Sequence, residues 1–186
     1  MSRADLRSFC DRAYASFHKP ALISPDPLEI VREYPDPQDR EVVGLIASSL
    51  ALGRVDGILR AVRDVVARLA DAAVSPALAV ANLSESSLRE LSAGFRYRFF
   101  DSEQLLGLLL STGRVVNDYG SLEACFAAGD RGGTYEQPVF AGLSFLVDEL
   151  VMRARRRLDD SIILSHPHRK SACKRLLLYL RWMVRN

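Results

Sequence analysis

The chain has 186 residues, 48% of them hydrophobic and 26% charged, with a formal net charge of +2. That length suits one helical domain over residues 1–186, in one body or two small lobes sharing a core. No apolar run approaches the roughly 20 residues of a membrane span, and Met1-Ser2-Arg3-Ala4-Asp5 carries charge without an apolar core behind it. Both observations argue against a membrane partner or a secretory signal and for a cytoplasmic protein. Cys10, Cys125 and Cys173 are widely spaced and odd in number, and they read as reduced thiols.

The charge is unevenly spread. Residues 153–186 hold ten Lys/Arg against Asp159 and Asp160, whereas the preceding 152 residues hold fifteen Lys/Arg against twenty-one Asp/Glu. A basic end on an acidic body points to a localised anionic partner, nucleic acid first among candidates. For the 153–157 cluster, a solvated helix end whose cations suit the macrodipole stands on equal footing.

In chain order, residues 3–18 form a predicted amphipathic helix, with Leu6, Phe9, Cys10, Ala13 and Phe17 at helical spacing and Lys19-Pro20 as its stop. Ser24-Pro25-Asp26-Pro27-Leu28-Glu29 starts a short helix by an N-cap followed by early prolines. Asp36-Pro37 starts the next by the same device. From Gln38 to about Leu52 that helix is apolar almost all round, so it is predicted to be the buried central post. Gly53-Arg54 breaks the run and leaves Arg54 at the junction with a one-faced helix extending to about Ala73. Ser75-Pro76 and Ser84 start further short helices.

The stretch Phe95-Arg96-Tyr97-Arg98-Phe99-Phe100 alternates aromatic and basic residues. An isolated strand would lack a partner in a helical chain, so a loop or helix entry is predicted. Arg96 and Arg98 there are candidate nucleic-acid contacts by charge and stacking, although such aromatics equally anchor loops to a core. Asp101 with Gln104 caps a long helix, Ser121 caps a short one that Gly129 is predicted to end, and residues 130–134 form a flexible stretch. Pro138 opens a helix to about Leu158. About nine helical segments and no sheet make the fold class all-α.

The last stretch carries the functional signal. A Pro-containing turn from His166 leads to a predicted N-cap at Ser171 and an apolar run studded with cations. At 100° per residue, Cys173, Leu176, Leu177, Leu180 and Val184 share one face. Lys170, Lys174, Arg181 and Arg185 fall in a stripe on the other, beside Arg175 and Trp182. The first face is expected to pack and the second to meet an anion. His166, His168 and Cys173 offer only three ligands with a proline between the histidines, so neither a metal nor a cofactor is predicted. There is no nucleotide-binding glycine loop and no Gly-x-Ser-x-Gly elbow.

Four strings carry a resemblance: Ile23-Ser24-Pro25-Asp26-Pro27-Leu28-Glu29; Tyr34-Pro35-Asp36-Pro37 with Asp39-Arg40-Glu41; Leu45-Ile46-Ala47-Ser48-Ser49-Leu50-Ala51 with Gly53-Arg54-Val55; and Ser171-Ala172-Cys173-Lys174-Arg175-Leu176 running into Arg181-Trp182-Met183-Val184-Arg185. They resemble an uncharacterised bacterial and archaeal family that is distantly similar to the helix-hairpin-helix DNA glycosylases, notably the archaeal 8-oxoguanine branch. The resemblance implies a multi-helix orthogonal bundle and a DNA partner. It puts Lys174 at the position of the glycosylase lysine, which attacks C1′ of a flipped nucleotide, expels the base and forms a Schiff base. Lys170, Arg175, Arg181 and Arg185 would then hold phosphates.

The hairpin glycines of that family are replaced by Ser171-Ala172, and the sequence stops at Asn186, before the segment in which relatives carry an aspartate in a Leu-Asp-Thr-His-Val type motif. The resemblance therefore implies a fold without its C-terminal segment and weak or absent base excision. The alternative expectation is a non-catalytic nucleic-acid-binding module that uses the basic C-terminal helix.

Overall fold

Local capping chemistry starts most of the helices in the computed structural model, which describes residues 2–130, 138–155, 157–158, 163–169 and 171–184. Helix α1 (Arg3–Phe17) opens on a reciprocal Ser2–Asp5 capping box. Helix α2 (Leu28–Arg32) follows Pro27, and its Leu28 N–H donates to Asp26 Oδ1 at 2.8 Å. Asp36 accepts from the Gln38 and Asp39 N–H groups at the head of α3 (Pro37–Ser49). Then follow α4 (Val55–Ala72), α5 (Pro76–Asn82) capped by Ser75 and α6 (Glu85–Ser92) capped by Ser84. A second capping box, Asp101 with Gln104, opens α7 (Ser102–Tyr119). The last three helices are α8 (Leu122–Asp130), α9 (Pro138–Arg153) and α10 (Lys174–Val184).

The described residues are thus overwhelmingly helical, as the all-α reading requires. Every residue from Glu41 to Ser49 is buried, so α3 is the central post that its all-round apolar sequence implies. It touches α2, α4, α5, α8 and α10, while α7 touches α5, α6, α8 and α9. One cluster of buried side chains runs through both groups, from Ile30 to Trp182. Where α5 meets α7, Gly113 lies so close to the Val80 carbonyl that a Cβ would fall on its oxygen.

Four expectations need correction. The stretch 96–101 is not a loop or helix entry. It is a minimal hairpin in which Arg96 pairs with Asp101 and Tyr97 with Phe100 across strands β1 (Arg96–Tyr97) and β2 (Phe100–Asp101). The strand finds its partner in its own continuation, because Arg98 adopts φ +54° and reverses the chain. Gly129 does not end α8 but lies within it, where a Cβ would collide with Phe145 Cβ on α9. It is a close-approach glycine rather than a terminator.

The packed face of α10 is also rotated from the predicted one. Leu177 and Val184 are exposed, whereas Cys173, Leu176, Tyr179 and Trp182 are buried. The reason is the partner: α10 lies on α3 at Gly44, where a Cβ would come within 2.6 Å of Met183 Cε and 3.4 Å of the Tyr179 ring. Contact this close seats Tyr179 and Met183 against α3. Finally, α10 starts at Lys174, and the Ser171 hydroxyl accepts from the Cys173 N–H at 3.2 Å instead of capping the helix. Helix α1, by contrast, has no buried residue, and Leu6, Phe9, Tyr14 and Phe17 are exposed.

Candidate nucleic-acid interface

The approach to α10 is a tight turn. Cys173 sits at φ +45° and its thiol donates to the Ser165 carbonyl at 3.1 Å. Its own carbonyl accepts the first helical bond, from the Leu177 N–H at 2.9 Å. The N–H groups of Lys174, Arg175 and Leu176 precede that bond, so they have no intrahelical acceptor and form the positive end of the helix. They border a groove of about 340 Å³ between residues 171–176 with Ser165 on one side and Ala51 with Leu52 on the other. Lys174 is exposed at its edge. Arg175 is half-buried, and burial lowers its guanidinium below the ordinary arginine range. Among the described residues, no carboxylate lines this groove.

A second cleft, of about 390 Å³, lies where the hairpin meets the start of α4, and Arg54, Arg60, Arg98, Asp56, Gly57 and Tyr97 line it. The Tyr97 hydroxyl donates to the Leu52 carbonyl at 2.7 Å, which fastens the hairpin to the α3–α4 junction. Of the hairpin aromatics, Phe95 and Phe100 are buried edge to face at 6.1 Å and serve the core, whereas Phe99 is 72% exposed.

The structure therefore brings Lys174 and Arg175 together in one groove and Arg54 and Arg98 together in another. Arg181 lies two turns along α10 from Lys174, about 10 Å on, and lines a separate groove with Arg32, Asp26 and Trp182. Arg96 is exposed and does not line the cleft, since neighbouring strand residues point to opposite sides. Lys170 and Arg185 lie outside the described residues, as do residues 131–137, which hold most of the flexible stretch, and residues 159–162. Sequence reasoning missed Arg60. The available signal was its spacing: Arg54, Gly57 and Arg60 recur every third residue, with a glycine opening the space between two arginines.

Part of the charge asymmetry of the sequence is folded away. Arg153 pairs with Asp118 at 2.8 Å and with Glu149, whose other contact is the Tyr119 hydroxyl donating at 2.6 Å. Arg155 and Arg157 both meet Glu85, at 3.1 and 2.8 Å, and Arg157 also reaches Glu103 at 3.2 Å. These arginines tie α9 and the turn after it to α6 and α7. They do not form a free basic stripe.

The histidines are likewise committed. His166 Nδ1 accepts the His168 backbone N–H at 3.1 Å, and His166 Nε2 lies 3.0 Å from Asp148 Oδ1. The His168 ring stacks on His166 and meets Phe140 edge to face. Among the described residues no group of three His, Cys, Asp or Glu is placed to hold a metal, and no helix is long and apolar enough to cross a membrane.

All three cysteines are free thiols, with Cys10 exposed and Cys125 and Cys173 buried. Burial, reinforced by Glu149, pushes the Cys125 thiol up to about 12, where roughly one molecule in ten thousand is the reactive thiolate at about pH 8. Titration with a thiol reagent is expected to show fast reaction at Cys10 alone, with the other two thiols appearing only on unfolding. Fast native reaction at Cys125 would contradict its packing.

Residues 26–186 match a family described as a protein of unknown function, DUF2400. The chain belongs to this family. No curated protein and no solved structure matches it. Both grooves of this DUF2400 chain lie within the matched stretch, whereas α1 precedes it.

Proposed function

We propose that this DUF2400 chain binds nucleic acid through the N-terminal end of α10 and acts in DNA repair of the base-excision type, in the manner of the helix-hairpin-helix glycosylases. The observation that carries the reading is the groove at Lys174. Helix N–H groups, the Lys174 amine and the Arg175 guanidinium border one concave surface that, among the described residues, holds no carboxylate to repel a phosphate. Backbone N–H groups and cations at a helix start are what a phosphodiester requires. Binding by such contacts releases counterions, so affinity is expected to fall linearly in log–log form with salt. The double variant K174A/R175A should lose about 1.5–2 from the magnitude of that slope on duplex DNA.

Lys174 supports a second reading within the first, because its exposed amine stands at the groove edge where a sugar would lie next to the bound phosphate. The amine nitrogen adds to the C1′ aldehyde of an abasic deoxyribose, the carbonyl oxygen leaves as water, and an iminium joins protein to DNA. Expelling an intact base demands more, because the departing base leaves positive charge on the sugar and no acidic residue among those described lines this groove. Lyase chemistry on abasic sites therefore fits the groove better than glycosylase chemistry. Borohydride reduction of the wild-type chain on an abasic duplex is expected to trap a covalent adduct that K174A does not form. No adduct with wild type, or one that survives K174A, removes the lysine chemistry and leaves binding alone.

A further inference from the structure

We propose that the cleft formed by Arg54, Arg60 and Arg98 at the start of α4 is a second phosphodiester site, taking a backbone phosphate of the same nucleic acid that enters the α10 groove. This rests on the nucleic-acid reading above and adds to it a separate point of contact.

Several arginines elsewhere are neutralised by the chain's own acids: Arg63 by Glu29 and Glu33, Arg68 by Asp64, Arg89 by Glu103, and Arg153, Arg155 and Arg157 as described. The cleft instead gathers three arginines in one place. Arg54 pairs with Asp56 at 3.8 Å, but Arg60 and Arg98 form no ion pair among the described residues. Three guanidiniums thus share one concave space with one carboxylate. Like charges gathered in this way repel one another unless an anion joins them, and the guanidinium fork matches two phosphate oxygens at once.

The gathering is built into the backbone. Arg98 is held in the left-handed region, and Gly53, at φ +110°, leaves the space into which its guanidinium projects. A Cβ on Gly53 would collide with Arg98 Nε. The Tyr97 hydroxyl anchors the hairpin to Leu52, so the position of Arg98 does not depend on a loose loop. Arg54 precedes α4 without supplying a side-chain cap, and its carbonyl takes the Gly57 and Ile58 N–H groups at 3.0 and 3.1 Å. The Val55 and Asp56 N–H groups come before those bonds and face the helix start. Leu52 lines the α10 groove and also receives Tyr97, so the short segment 52–54 is what separates the two sites.

The test uses the full chain and a labelled mixed-sequence DNA 20-mer, single- and double-stranded, titrated by anisotropy at several salt concentrations. R60Q/R98Q is expected to bind at least about tenfold more weakly at low salt and to lose about 1.5 from the magnitude of the salt slope. Removing the competing acid by D56N is expected to tighten binding about two- to fivefold, an effect no folding defect imitates. R60Q/R98Q changes exposed side chains and should melt as wild type does, whereas D56N gives up the first-turn acid of α4 and should melt slightly lower. Wild-type binding whose affinity and slope are unchanged in R60Q/R98Q, or weaker binding by D56N, overturns the cleft and leaves the α10 reading standing. No salt-dependent binding by wild type removes that reading and this one together. If inorganic phosphate raises the melting temperature of wild type but not of R60Q/R98Q, while DNA binding ignores the pair, the cleft is a free-phosphate site and the backbone assignment is wrong.

Discussion

Gly113→Ala is expected to lower stability by about 3 kcal/mol, against an intrinsic helix gain of about 1 kcal/mol for alanine over glycine. The contact decides the sign. The new Cβ would overlap the Val80 carbonyl oxygen, and a backbone atom of α5 cannot rotate out of the way as a flexible side chain could. Helices α5 and α7 would have to separate, loosening Ala79 and Val80 from the core. The loss should lower the denaturant midpoint without changing the m-value, and it corresponds to a melting temperature lower by roughly 6–12 °C. Gly57→Ala is the control. Its Cβ would meet the Tyr97 hydroxyl at an ordinary 3.4 Å, so the intrinsic gain should dominate. A Gly113→Ala protein as stable as wild type would mean that α5 and α7 do not touch there.

Glu41 should show the second large effect. It lies on buried α3 and reaches across to α8, where one oxygen, Oε2, accepts the Leu122 N–H at 2.7 Å and the Glu123 N–H at 3.3 Å. Glu41→Ala leaves those donors unpaired and opens a hole beside Leu122, for a cost of about 3 kcal/mol. Glu41→Gln can present its single carbonyl oxygen to both donors and removes the buried charge, so it should stay within about 1 kcal/mol of wild type.

The pH dependence separates the two effects. Burial raises the Glu41 carboxyl above its ordinary value of 4.5 despite the two backbone bonds. The native state therefore holds the proton more tightly than the unfolded chain does. The stabilisation so gained is complete below 4.5 and is lost as pH rises through the higher native value. Wild type should thus lose ground to Glu41→Gln across that window, and the gap should close on acidification. Chemical denaturation at a series of pH values reads this directly, and a gap that widens on acidification would reverse the assignment.

What the sequence discloses depends on how far apart the interacting groups are. Asp36 with Pro37, Ser75, Ser84 and the Asp101–Gln104 pair act within one turn of chain, and each starts the helix it precedes. The burial of α3 is equally legible, because a helix apolar on all sides has nowhere else to go. The face of α10 is not. Leu177 looks as apolar as Leu176, yet Tyr179 is buried in its place, against the close approach of Gly44 on α3. Nor can spacing show that Arg155 and Arg157 end at Glu85, about seventy residues earlier in the chain. A charge count therefore overstates the basic C-terminal surface. The sites show the same division: Lys174 and Arg175 are neighbours and were legible together, whereas Arg98 joins Arg54 and Arg60 only because a hairpin folds back onto the α3–α4 junction.

The seating of α10 on α3 has a dynamic consequence. The amides of α3 should open only with global unfolding and therefore exchange with deuterium most slowly in the chain. The amides of Lys174 and Leu176, at the rim of the groove, have no helical acceptor and should exchange fastest in α10. A phosphate-bearing ligand at that rim should slow exchange there by orders of magnitude while leaving α3 unchanged, so occupancy would be recorded as local protection on a rigid mount.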